Sequence, residues 1–128
     1  MASFSERSKS KLLTCHNDLQ RLFNEVVKGF DCTVIEGYRD KEKQDQLYPT
    51  FTQVKFPNSK HNKQPSGGAD VLPHPINWND MRRMYYFAGY VKAKAEELGI
   101  GIRWGGDWDD DTEILDNNFN DLCHFELT

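Results

Sequence analysis

Residues 122–127 read Leu122-Cys123-His124-Phe125-Glu126-Leu127, a run in which polar and apolar side chains alternate as a half-buried strand requires. Read as a strand, it turns His124 and Glu126 to one face. Upstream lie other short β-prone runs: Cys32-Thr33-Val34-Ile35, Ala69-Asp70-Val71-Leu72, which Pro73 stops, and Ile100 to Trp104. Between them fall helical patterns. In Asn17 to Lys28 the residues Leu19, Leu22, Phe23, Val26 and Val27 mark one buried face, with Thr14 or Asn17 to cap the start and Gly29 to end it. Asp40 to Tyr48 is a polar helical segment. Trp78 to Leu98 is the longest helix, with Met81, Met84, Tyr85, Ala88, Val91, Ala95 and Leu98 on one face, Gly99 at its end, and Tyr85, Tyr86, Phe87 and Tyr90 packing in the core. Helices and strands are mixed without regular β-α-β alternation, which defines an α+β fold. The 128 residues suit a single domain over 1–128.

Composition narrows the function. With 38% hydrophobic and 28% charged residues the chain has ordinary globular usage, and a domain of this size builds a core without a structural metal. A net charge of −4 and the lack of a basic stripe exclude a nucleic-acid binder. The three cysteines, Cys15, Cys32 and Cys123, form no CxxC pair and read as reduced thiols. Met1 to Lys11 lacks the apolar stretch of a signal peptide, and no run approaches a membrane span, so no stable membrane association is expected.

Four residues could carry chemistry together: His61 at the end of the long loop Pro49 to Ser66, Asp70 on a strand, and Asp121 and His124 at the last strand. Two imidazoles and a carboxylate match the three protein ligands of a catalytic zinc, which leaves a fourth position for water. Asp121, three residues before His124, is close enough to act as a general base on that water. Spacing alone leaves His74 as a rival ligand and Glu126 as a rival base. His16 is placed on a helix, exposed. The acidic run Asp107, Asp109, Asp110, Asp111 and Glu113 lacks the glycine and glutamate spacing of an EF-hand and reads as a solvated turn. Trp104 and Trp108 either wall a cleft or pack in the core.

At these residues the chain resembles the zinc D-alanyl-D-alanine carboxypeptidase and L-alanyl-D-glutamate peptidase family, and within it the short phage endolysins. The resemblance rests on Ser59-Lys60-His61-Asn62 with Pro65-Ser66 and Asp70, and on Asp121-Leu122-Cys123-His124-Phe125-Glu126-Leu127. It extends to Ile35-Glu36-Gly37-Tyr38-Arg39 with Gln44, Ile76 to Asp80, Tyr86 to Tyr90, and Ile102 to Trp108. It implies a small antiparallel sheet with flanking helices, a hedgehog/D,D-peptidase-like single domain. It further implies one zinc ion on His61, Asp70 and His124, with Asp121 as catalytic base and Arg39 near the scissile carbonyl. Ser59, Gln44, Ser66, Trp104 and Glu126 are then expected to bind substrate or order the ligands.

Two departures stand out. Gly68 replaces the family's usual Ala two residues before Asp70, which would loosen the ligand strand. Cys123 and His74 stand where related phage sequences tend to have Pro and Tyr; strand alternation turns the Cys123 thiol away from His124. The resemblance implies a zinc metallopeptidase, an endolysin that hydrolyses the L-alanyl-D-glutamate bond of the peptidoglycan stem peptide. A D,D- or L,D-carboxypeptidase removing terminal D-alanine and a non-catalytic wall-binding module are the alternatives. The expected protein is a monomer in the host bacterial cytoplasm, reaching the periplasm or cell wall through a separate release mechanism, with Arg39 and Lys55 as local positive groups for an anionic wall polymer.

Overall fold

A computed structural model describes residues 2–128. In chain order the elements are α1 (Glu6–Leu12), α2 (Asn17–Gly29), β1 (Cys32–Glu36), α3 (Lys41–Leu47), a 3-10 turn (Lys60–Asn62), β2 (Gly68–Pro73), α4 (Met81–Leu98), β3 (Ile102–Gly105) and β4 (Asp121–Leu127). The strands form one antiparallel sheet in the order β1-β2-β4-β3. No helix among the described residues is long and apolar enough to cross a membrane.

The core follows from the two amphipathic helices. Leu19, Leu22, Phe23, Val26 and Val27 of α2 are buried, as are Met84, Phe87, Ala88, Val91 and Ala95 of α4. Phe125 of β4 meets Phe23 and Phe87 edge-on at ring distances of 5.6 and 6.0 Å, and burial of each such ring contributes about 1.5–3 kcal/mol. The sheet face that carries Phe125 is therefore dry. The opposite face, with His124 and Glu126, is left for the site.

Several expectations shift at element ends. Helix α4 starts at Met81 rather than Trp78, because the Asp80 carboxylate accepts a hydrogen bond from Arg83 N and caps the helix there. Met81 and Tyr86 are exposed, outside the buried stripe; Tyr86 instead packs edge-on against Phe30 at 5.4 Å. Neither Thr14 nor Asn17 caps α2. His16 does, its Nδ1 accepting from Asp18 N at 3.0 Å, so His16 precedes the helix and stays exposed.

Helix α1 has no sequence expectation behind it, since its ERSKSKL carries no apolar stripe. It covers the open edge of β1. Ser8 Oγ accepts from Val34 N at 3.1 Å, and Lys11 Nζ donates to Ile35 O at 2.9 Å. Edge strands left unpaired invite association with other chains, and a covering helix blocks it. Ser8 is buried, so Ser8→Ala leaves Val34 N–H without a partner. A stability loss of about 1–3 kcal/mol is expected, read as a lower urea midpoint with the denaturant slope unchanged.

Candidate active site

Strand register assembles most of the site. Across the sheet Glu36 pairs with Asp70, and Asp70 with His124, so these side chains share a row on the face away from the core. His61 arrives from the 3-10 turn, which Ser59 and Asn62 lock. Ser59 Oγ accepts from His61 N at 3.2 Å, and Asn62 Oδ1 accepts from Ser59 N at 3.1 Å. Buried Ser66 donates to Gly68 O at 2.6 Å and accepts from Gly68 N, fixing the entry into β2.

The three side chains converge. His61 Nε2 lies 3.2 Å from Asp70 Oδ1 and 3.1 Å from His124 Nδ1, and His124 Nδ1 lies 3.1 Å from Asp70 Oδ1. Each ring's other nitrogen is already assigned. His61 Nδ1 faces the Gly37 carbonyl at 2.8 Å, and His124 Nε2 faces Glu126 Oε1 at 2.9 Å. Both partners can only accept, so these nitrogens carry the hydrogens and the ring lone pairs point into the triangle. Two lone pairs and a carboxylate oxygen at such distances call for positive charge between them. The same demand drives His124 up to about 9: burial opposes its charging, but hydrogen bonds to Asp70 and Glu126 outweigh that. Asp70 is held well below the usual carboxylate range, because the two imidazoles overcome the penalty of its burial.

The triangle fits zinc. Tetrahedral ligands at about 2.0–2.1 Å from a metal sit about 3.3 Å apart, close to the spacing observed. A carboxylate and a backbone carbonyl behind the two imidazoles are the supports that zinc-bound histidines usually have.

The remaining expected residues fall around this centre. Asp121 is half-buried at the start of β4 and lines the same cleft of about 590 Å³ as His61, Asp70 and His124. Burial first, and then the charge of Asp70, raises its carboxyl above the ordinary value. Glu126 differs. His124 occupies its Oε1 and Arg103 its Oε2 at 2.7 Å, and these bonds overcome burial to hold it at about 2. A carboxylate with both oxygens occupied is a poor base beside Asp121.

Arg39 is buried, at 9% exposure, and committed: Nε to Glu36 at 3.2 Å, Nη1 to Gln44 Oε1 at 3.0 Å, and Nη2 at 3.8 Å from Asp70 Oδ2. Gln44 is fully buried between Arg39, Asn62 and the Val54 carbonyl. Lys55 stacks on Tyr48 and does not line the cleft. Cys123 is buried beside Leu72 and Met84, donates to Asp121 Oδ1 at 3.5 Å and takes no place in the triangle. His74 lies away from the cleft, near Thr33 at 3.4 Å.

Trp104 is a correction. It is buried against Tyr85, donates Nε1–H to Leu122 O, and does not line the cleft. Trp108 does, stacked on Phe119 at 5.6 Å and tilted over the His124 ring at 5.8 Å. Gly68 is a second correction. The backbone is paired opposite Glu126, and a Cβ there would stand 3.0 Å from His124 Cε1 and 3.2 Å from Lys60 Cβ. The missing side chain makes room for the imidazole rather than loosening the strand. In the acidic loop Asp107, Asp109 and Asp111 lie close together, but both Asp107 oxygens accept backbone N–H groups, from Asp111 and Thr112.

Gly105 sits at the register shift opposite Asp121, and a Cβ on it would collide with the Asp121 carbonyl. Gly105→Ala should therefore displace the start of β4. A misplacement near 1 Å costs about 100-fold in rate, so kcat should fall by that order, while zinc content, measured by atomic emission, holds.

The α+β fold thus sets a two-histidine, one-carboxylate triangle of the kind that can hold a metal ion in one cleft with the Asp121 carboxyl. A model of the phage L-alanyl-D-glutamate peptidase family matches residues 1–128, and the chain belongs to that family. It is 26% identical over 110 residues to the L-alanyl-D-glutamate peptidase of Escherichia phage T5, covering 82% of this chain and 80% of that one. Its fold matches the crystal structure of the Serratia marcescens L-Ala D-Glu endopeptidase ChiX with a TM-score of 0.80 at 25% identity, over 99% of this chain and 91% of that one.

Lys60, Arg103, Phe51 and Phe119 also line the cleft. No spacing marks them; only the path of the folded chain brings them there.

Proposed function

We propose that this protein is a zinc-dependent endopeptidase of the peptidoglycan stem peptide that hydrolyses the L-alanyl-D-glutamate bond. The triangle of His61, Asp70 and His124 in a chain of this family carries the reading. Zinc there would lower the pKa of a bound water and polarise the scissile carbonyl. With zinc in place His61 Nε2 and His124 Nδ1 would serve as ligands, their opposite ring nitrogens held by Gly37 O and Glu126, and His124 would give up its second ring proton to the ion. Asp121 takes the proton of the attacking water as the new C–O bond forms, then delivers it to the amine as the C–N bond breaks. Its raised pKa suits both halves of that transfer. Arg39 lines the cleft with its guanidinium beside Asp70, where it would steady that ligand and add positive charge near the scissile carbonyl. The protein reaches the wall through a separate release step.

Digestion of purified peptidoglycan with zinc-loaded protein, followed by mass spectrometry of the new amino termini, tests this. Termini on D-glutamate are the expected result. Release of free D-alanine alone would establish a carboxypeptidase instead, and an uncut wall would remove both.

A further inference from the structure

The cleft carries Asp70, Asp121 and Glu126 on a chain of net charge −4, an unfavourable setting for an acidic ligand unless a cation is aimed at it. Three cationic side chains line it: Arg39, Lys60 and Arg103. Arg39 is buried and its guanidinium is committed to Glu36, Gln44 and Asp70. Lys60 Nζ is tied to Leu127 O at 3.1 Å. Arg103 is different. Its side chain is 41% exposed, and one nitrogen, Nη2, is pinned to Glu126 Oε2 at 2.7 Å. Its Nε is buried without a partner, and among the described residues its Nη1 makes no hydrogen bond to protein.

The Glu126 contact holds one end of the guanidinium two residues along β4 from His124, across the β3–β4 pairing. Arginine held in this way binds a carboxylate with both charge and direction. A D-glutamate residue has two carboxyls besides its amine; whichever carries the peptide onward, the other remains a free carboxylate close to the scissile bond. We propose that Arg103 binds this free carboxylate and sets the preference for an acidic residue after the cut. The inference rests on the L-alanyl-D-glutamate reading above.

Two synthetic stem peptides test it, L-Ala-D-Glu-L-Lys-D-Ala with an amidated C-terminus, one with the D-glutamate carboxylate free and one with it converted to the amide. A charged hydrogen bond of this kind should favour the free acid about 10- to 100-fold in kcat/KM, mainly through KM. In Arg103→Ala the ratio should collapse toward unity because the acid loses while the amide does not. Arg103→Lys should restore part of the preference, and Lys55→Ala, outside the cleft, should leave it intact.

If Arg103→Ala slows both peptides equally, the side chain acts only through Glu126 and the inference fails. Equal cleavage of both peptides by the wild-type protein overturns it while leaving the endopeptidase reading standing. Cleavage of neither peptide by the wild-type protein overturns that reading and this inference with it.

Discussion

Asp121→Ala should bind zinc as the wild-type protein does and hydrolyse peptidoglycan about 10²- to 10⁴-fold more slowly, the usual contribution of a positioned general base. The carboxyl lies in the cleft but outside the triangle of His61, Asp70 and His124, so under the proposed mechanism its removal takes away the proton acceptor and not a ligand. Zinc content by atomic emission and turnover on labelled wall fragments, measured on one preparation, separate the two effects. Asp121→Asn should behave alike, since an amide keeps the shape and cannot take the proton. Undiminished turnover in both variants would transfer the role to Glu126, against the hydrogen bonds from His124 and Arg103 that occupy its oxygens.

His61→Ala should have the larger effect. Two donors would remain where three converge, and bound zinc should fall to background. Metal activation supplies several kcal/mol of transition-state stabilisation, so activity should drop by at least about a thousandfold. Stability gives an independent readout. Zinc at about 100 times its dissociation constant stabilises the folded chain by about 2.7 kcal/mol, a rise on the order of 10 °C in Tm for a chain of this length. The wild-type protein should show that rise and His61→Ala should not. Retention of stoichiometric zinc in this variant would count against the ligand assignment.

The His61, Asp70 and His124 triangle was legible through the family resemblance, since residue type and spacing alone left His74 as a rival ligand. Strand alternation also placed His124 and Glu126 on one face, where the structure joins them at 2.9 Å. The cleft wall was not legible. Trp104 and Trp108 are equivalent candidates by composition. The strand carries Trp104 inward, and the Gly105-Gly106 turn, packed against the Trp104 ring, brings Trp108 out over His124. Arg103 and Lys60 have long side chains whose direction depends on partners distant in sequence, Glu126 and Leu127. Helix α1 escaped because hydrogen bonds to a strand edge, rather than an apolar stripe, anchor it.

Two of the three converging side chains stand on adjacent central strands, β2 and β4, whereas much of the cleft wall comes from irregular chain: Phe51 and Val54 before the 3-10 turn, Trp108 and Phe119 between β3 and β4. Much of the wall thus lies on chain apart from the two strands that carry Asp70 and His124. Insertions and exchanges in loops are tolerated far more readily than changes of strand register. Exchanges within residues 49–58 and 106–120 should therefore reshape the cleft while the paired positions of Asp70 and His124 hold.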